Sequence, residues 1–485
     1  WNGIPMDRAV ELNAARQAGS NLDARHARGL NTMTVRPLRQ SVPPDEEWVV
    51  VGYSGADGQA RESRVEWRIF EPPPSPTATD PDSASDPLAL AIGIDAETEE
   101  VRRARKSLFS PEAMDVERQV RELASAEGLA PGAGPPGMAD VSTLPDVLQF
   151  RAVSTPHGEF GYLRIRTFSV DDVDVFVTEV VRILGLLPQR GLIVDVRGNG
   201  GGIIMAGERL LQLFTPRRIE PERLHFLNTP LTLRLCQSVP AFAAWSDSIA
   251  ESVETATTFS DGFPVFPAHA DDCNAIGQQY HGPAVLLIDP LCYSTTDILI
   301  AGWQDHAIGP IVGTGGNTGA GGANVWTHAL LANFLAGPDS PIQPLPRGTS
   351  FRVAVRRTTR VGERSGDPVE DLGVVPDQVH PLTRNDLLSD NVDLLARAGQ
   401  LLASRPARTL AAETMPGGDG SLVVKVTTEG ISRLDAFVDG RPRHTLDVSD
   451  GTATFEIQAQ PGPSSMLELL GFDGGELVAG RRLRL

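Results

Sequence analysis

Between residues 148 and 403 short apolar runs alternate with stretches of helical spacing, and this alternation constrains the chain more than any other feature. "FGYLRIRTF" reads as a strand and "DDVDVFVTEVVRILGLLP" as an amphipathic helix. "RGLIVDVRGNGGG" reads as a buried strand running into a glycine turn, with "IIMAGERLLQLF" as the next helix. "GPAVLLID" is a further strand, followed by a helix in "STTDILIAGW" and a strand in "GPIVGT". "NDLLSDNVDLLARAGQLLAS" closes the series as one helix. Strands and helices taking turns in this way predict an α/β fold with a largely parallel sheet.

At 485 residues the chain exceeds one ordinary core, so the flanks are read as separate units. Residues 1–72 form a small β-rich unit. "MDRAVELNAARQAG" has helical spacing there, and "EWVVVGY" and "SRVEWRIF" are strands joined by a turn at "SGADG". Residues 73–147 read as an insertion with mobile parts. "EPPPSPTATDPDSASDP" and "APGAGPPGM" are linker-like, while "AETEEVRRARKSLF" and "PEAMDVERQVRELASAEG" are polar surface helices. Residues 148–405 are the α/β unit. In residues 406–485 short apolar strands separated by Asp-Gly turns predict a β-sandwich.

The net charge of −19 gives a surface that repels phosphate backbones, which argues against nucleic-acid partners. No run approaches the roughly 20 apolar residues that span a bilayer. Of three cysteines, Cys236 and Cys273 flank one segment; a disulfide between them and three buried free thiols are both open readings. The acidic surface and the disulfide reading point to an extracytoplasmic location, secreted or periplasmic, with a cytoplasmic one left open.

Two segments can carry chemistry. In "DVRGNGGG", Asp195 to Gly202, the glycines permit positive φ and aim N–H groups at an anion. A plain turn, a phosphate loop and an oxyanion hole all fit that description, but the Gly-Lys-Ser/Thr ending of a phosphate loop is missing. In "PLCYSTTDILIAGWQD", Ser294 stands where strand meets helix, with Asp297 three residues on. That spacing is close to a capping box. A serine there also has backbone N–H groups beside it, including that of Thr295, so cap and nucleophile are compatible roles. "HADDC" offers His269, Asp271, Asp272 and Cys273, at a spacing that fits no zinc pattern well. Cys292 reads as a buried thiol.

"GYLRIRTF", "LIVDVRGNGGG", "GPAVLLIDPLCYSTTDILIAGWQD", "IGPIVGT" and "VEDLGVVPD" occur in this order. Together, over residues 150–400, they resemble the carboxy-terminal processing and tricorn-core serine peptidases. The resemblance implies a crotonase/ClpP-like peptidase core. It also implies a PDZ-like module before that core, because "WNGIPMDRAVELN" looks like the end of one. It makes Ser294 the nucleophile, and Gly200 or Gly201 with Thr295 the oxyanion donors. Cys292, Tyr293, Thr295 and Thr296 stand where the family carries small residues. The lysine of one branch falls on Gly319, and the only lysines, Lys106 and Lys425, lie elsewhere. That leaves the tricorn-like branch, in which serine, histidine and glutamate act together. Glu370 in "PVEDLGVVPD" then takes the carboxylate role. The histidine is expected ahead of residue 1, with His26 and His157 as weaker alternatives.

Peptide or protein substrates are the expected partners, no metal or cofactor is called for, and self-association stays open. The competing reading is a non-catalytic binding protein on the same fold. A crotonase-like acyl-transfer enzyme is a third, for which no coenzyme signature is visible.

Overall fold

The computed structural model describes residues 1–38, 42–71, 92–94, 96–109, 119, 122, 141–458, 462 and 464–485. "APGAGPPGM", nearly all of "EPPPSPTATDPDSASDP" and most of "PEAMDVERQVRELASAEG" lie outside these residues.

The N-terminal unit holds helices α1 (Met6–Ala14) and α2 (Leu22–Asn31) and a hairpin of β1 (Trp48–Ser54) and β2 (Ala60–Glu66). Asn21 starts α2 by accepting the Ala24 N–H at 2.8 Å, a short polar side chain capping a helix. The strand read through "SRVEWRIF" stops at Glu66, and every residue of β2 is exposed. Its alternating pattern has no core to face, and Trp67 instead packs against Trp1, the tilted rings 6.4 Å apart.

β3 (Ile92–Ile94) and α3 (Ala96–Phe109) follow. The central sheet is built from β4 (Leu148–Thr155), β5 (Gly158–Ile165), β6 (Leu192–Asp195), β9 (Ala284–Ile288), β10 (Ile311–Gly313) and β13 (Gln378–Val379). These six lie side by side in chain order; β5 to β13 are parallel and β4 is an antiparallel edge. The sheet is thus mixed but mostly parallel. β7 (Gly201–Ile203) pairs with β3, and β8 (Arg223–Phe226), β12 (Arg352–Thr359) and β11 (Ala323–Thr327) make a separate antiparallel sheet.

The apolar runs of the central strands are buried on both faces, which is why they show no polar alternation. Leu192, Val194, Leu286, Ile288 and Ile311 join the main core with Phe176, Val177 and Val180 of helix α4 (Val173–Leu186). Ile193, Val285, Leu287 and Val312 point the other way. They meet Leu394, Ala398 and Leu402 of a helix later in the chain, Val392–Ala403. That closing segment is two helices rather than one. Asp390 and Asn391 adopt left-handed backbone (φ 51° and 61°), and the Asp386 carboxylate accepts the Leu394 N–H across the break at 2.8 Å. Competing local hydrogen bonds of this kind interrupt helices that periodicity alone would continue. "IIMAGERLLQLF" is likewise divided, into Ile204–Glu208 and the single 3₁₀ turn Leu211–Phe214.

The region read as an insertion is not detached from the core. β3 pairs antiparallel with the glycine turn, Gly93 opposite Gly202, and the Ser142 hydroxyl donates to the Glu179 carboxylate of α4 at 2.9 Å. After residue 405 come a three-stranded and a four-stranded antiparallel sheet. Their inward residues, among them Val424, Val426, Leu434, Leu467 and Leu469, form one shared cluster. Asp439-Gly440 makes the tight turn inside the larger sheet, both residues at positive φ. Among the described residues, no helix is long and apolar enough to cross a membrane.

Candidate active site

The carboxyl ends of β6, β9 and β10 are neighbours; β6 runs into the glycine turn, β9 into the Ser294 segment and β10 into the loop that holds Gly319. Ligand sites of open α/β sheets gather at such ends. After β9 the chain turns through Asp289–Ser294 into helix α5 (Thr295–Asp305). Ser294 sits at the corner with φ 59° and ψ −117°, and it is 5% exposed. An L-residue with a Cβ avoids this region, at a cost of about 1–3 kcal/mol. A serine that only capped a helix would have extended backbone, as Thr229 and Thr383 do in this chain.

The strained corner is held from several sides. The Asp297 carboxylate accepts the Ser294 N–H at 2.7 Å and the Gly321 N–H at 2.9 Å. It also accepts the Ala320 N–H at 3.3 Å. The Tyr293 N–H donates to the Asn199 carbonyl at 3.1 Å, and the Cys292 thiol to the Val196 carbonyl at 3.3 Å. The corner is thereby tied to the glycine turn on one side and to the loop after β10 on the other.

In the glycine turn most N–H groups are occupied. Arg197 donates to Asp195, Gly198 to Asp289 at 2.8 Å, Asn199 to the Val196 carbonyl, and Gly201 to Asn199 Oδ1 at 2.9 Å. Gly200 N–H has no acceptor among the described residues. The Thr295 hydroxyl donates to the Gly202 carbonyl at 2.9 Å, which fixes the first turn of α5 against this loop. Asp195 anchors the strand end. Its burial opposes ionisation, but Arg164, Arg197 and the Tyr162 hydroxyl outweigh that and hold the carboxylate well below its usual range.

Glu370 belongs to the same cluster of loops. Its neighbours lock onto the segment after β10: Asp371 N–H donates to the Ala320 carbonyl, and Thr318 N–H to the Val374 carbonyl. Glu370 itself is half-buried. Burial raises its carboxyl above the ordinary value, Asp371 adds to this, and Arg357 works against both.

Lys106 and Lys425 stay away from Ser294, the first paired with Asp146 and the second on an exposed strand position after residue 405. Of the nine histidines, six have ring partners elsewhere. His225 meets Ser260 and Thr359, His269 meets Glu208, and His380 meets Asp386. His281, His306 and His328 each meet a backbone carbonyl. His26 and His157 are exposed, and His444 stacks on Phe455.

Cys236, Cys273 and Cys292 are three buried free thiols, which closes the disulfide reading and the support it lent to location. Burial raises the Cys292 thiol well above its ordinary value and nearby Asp289 raises it further, so it is a poor nucleophile. Of "HADDC", His269 faces Glu208 and Cys273, whereas Asp271 pairs with Arg218.

Asp297 was visible in the sequence only as a capping partner; its hold on Gly321 and Ala320 depends on a loop more than twenty residues away. Burial pushes its carboxyl up to about 7, against the Thr318 hydroxyl and the N–H groups of Gly321, Ser294 and Ala320, which pull it down. The folded value lies above the unfolded one. This carboxyl's contribution to stability is therefore complete below about pH 4 and is lost as pH rises through about 7. Asp297→Asn cannot ionise. Its deficit against wild type in denaturant unfolding is expected to shrink by about 2 kcal/mol or more between pH 5 and pH 8. A constant deficit would mean that Asp297 is already ionised at pH 5.

Residues 159–379 match the family model described as peptidase family S41. A solved structure of a CPAF mutant covers 84% of this chain and 78% of its own, at 16% identity and a TM-score of 0.50. Mature CPAF complexed with lactacystin covers 83% and 77% at 17% identity, TM-score 0.49. The photosystem II D1 C-terminal processing protease covers 52% and 54% at 18% identity, TM-score 0.30. No curated protein sequence matches the chain. The structural likeness speaks to the fold, and the family match covers the segment that holds the glycine turn, Ser294 and Glu370. Residues 159–379 thus carry the sequence pattern of peptidase family S41, and the protein is a serine-type peptidase.

Proposed function

We propose that the chain hydrolyses peptide bonds of protein or peptide substrates with Ser294 as nucleophile. The backbone of Ser294 carries this reading, because a left-handed serine at a strand-to-helix corner is strain that capping does not require. Ser294 Oγ attacks the carbonyl carbon as a histidine accepts its proton; that histidine returns the proton to the leaving amine. Negative charge on the carbonyl oxygen is met by Gly200 N–H and Thr295 N–H, while Gly201, with its N–H on Asn199, shapes the turn. Glu370 orients the histidine. The base is proposed to lie ahead of residue 1, as in the tricorn-like branch, with the exposed His26 and His157 as the weaker alternatives. Residues 1–72 are assigned as a PDZ-like module that adds peptide to a sheet edge. The two sheets after residue 405 are assigned as a β-sandwich that serves docking or stability.

The test uses the full-length protein with a fluorophosphonate probe, mapped by peptide mass spectrometry. One adduct on Ser294, slower to form in Glu370→Gln, is the expected result. A folded protein that takes no adduct would reduce Ser294 to a helix cap and favour the binding-protein reading.

A further inference from the structure

Tyr293, next to Ser294, is the residue least like the small ones that the family resemblance leads one to expect there. Its surroundings explain its size. The buried Arg28 guanidinium of α2 lies 4.3 Å from the centre of the Tyr293 ring, and Arg28 Nε donates to the Tyr293 hydroxyl at 2.8 Å. The ring is packed so closely against Gly319 and Gly321 that a Cβ on either would stand 2.5 or 2.7 Å from it. The same N-terminal stretch grips the loop after β10 directly. Asn21 Nδ2 donates to the Thr318 carbonyl at 2.9 Å, and the Ser20 hydroxyl to the Ala320 carbonyl at 3.4 Å. Ala320 and Gly321 in turn donate their N–H groups to Asp297, which holds the Ser294 N–H.

We infer that Arg28 is a positioning residue, through which helix α2 of the N-terminal unit holds the Ser294 corner in its strained conformation. The inference rests on the peptidase reading for its catalytic consequence but not for its structural one. Two independent routes converge on the corner. One runs from Arg28 through the Tyr293 ring, and the other from Asn21 through the Thr318–Gly321 loop and Asp297. A guanidinium suits the first route, since its extended set of N–H groups lets it lie over the ring and still reach the hydroxyl of the same residue. The corner costs energy to hold, so a shift of α2 lets it relax away from the nucleophilic geometry. The N-terminal unit thereby has control over whether Ser294 is poised.

Amide hydrogen exchange on the full-length protein tests this without any chemistry at Ser294. Arg28→Ala is expected to speed exchange in residues 293–297 and 318–321 by about tenfold to a hundredfold, the range from a lost hydrogen bond alone to that bond plus a buried cation–π contact. Strands β6 and β9 should be unchanged. Arg28→Lys should recover little, and Tyr293→Phe, which removes only the hydroxyl, should give a smaller increase in the same segments. In peptide hydrolysis Arg28→Ala should lower kcat and leave KM within twofold. If Arg28→Ala does not fold, Tyr293→Phe decides by the same exchange readout. Unchanged exchange at both segments, or an increase spread evenly over the core, would overturn the inference. If the wild type resists the fluorophosphonate probe while Arg28→Ala shows the expected exchange, the peptidase mechanism fails and the brace stands.

Discussion

Ser294→Ala is expected to lower kcat for peptide hydrolysis by about 10⁴–10⁶-fold, the loss seen when a serine nucleophile is removed and only binding and oxyanion contacts remain. The fold should hardly notice. Alanine keeps the Cβ, so the backbone at φ 59° and ψ −117° is as strained as before, and the Ser294 N–H still reaches Asp297. Stability within about 1 kcal/mol of wild type is the expected result. Ser294→Gly separates the two roles further. Without a Cβ the left-handed region carries no penalty, so the glycine variant should be more stable than the alanine variant by about 1–2 kcal/mol and equally inactive. This ordering is the signature of a residue strained for its chemistry, since a serine kept for capping would lose stability on truncation. More than a tenth of wild-type activity in either variant would remove Ser294 from the mechanism.

What could be read in advance divides along physical lines. Strands and helices were legible where burial shapes the residue pattern: "LIV" and "AVLLI" are unbroken apolar runs because both faces of the central sheet are covered. Helix ends were legible less well. Nothing in "NDLLSDNVDLLARAGQ" shows that Asp386 will turn back to hold Leu394 and break the helix at Asn391. The candidate site follows the same division. Ser294, the glycine turn and Glu370 each sit in a short segment with its own pattern, so each could be named. The contacts that shape the site join distant segments and leave no local pattern. Asp297 to Gly321 and Arg28 to Tyr293 are of this kind. Within the glycine turn the Asn199 side chain takes up the Gly201 N–H only two residues on, a local contact that the glycine pattern alone does not announce.

Gly202→Ala is the substitution expected to damage the fold most. Gly202 has φ 149°, and a Cβ built on it would lie 1.9 Å from the Phe168 carbonyl carbon and 2.1 Å from the Ser169 nitrogen. Those are backbone atoms, so no side-chain rotation can make room. Phe168, in an isolated bridge beyond the end of β5, is itself bound there: Phe168 N–H donates to the Gly201 carbonyl at 2.9 Å and Ile203 N–H to the Phe168 carbonyl at 2.8 Å. On its other flanks the same glycine faces Gly93 of β3 and accepts the Thr295 hydroxyl. Relief therefore requires separating the turn from a neighbour, at a cost of about 4 kcal/mol or more, in the range of severe overpacking. Gly198→Ala is the control. It too has positive φ (67°), but a Cβ there meets nothing within 4 Å. It should cost only the left-handed penalty, about 1–2 kcal/mol. Denaturant midpoints of the two variants, side by side, distinguish close approach from backbone conformation as the reason this turn is rich in glycine. Equal losses would mean that the contact with Phe168 does not hold the turn. Its shape would then depend on the side chains of Asn199 and Asp289 alone, and Asn199→Ala would become the more damaging change.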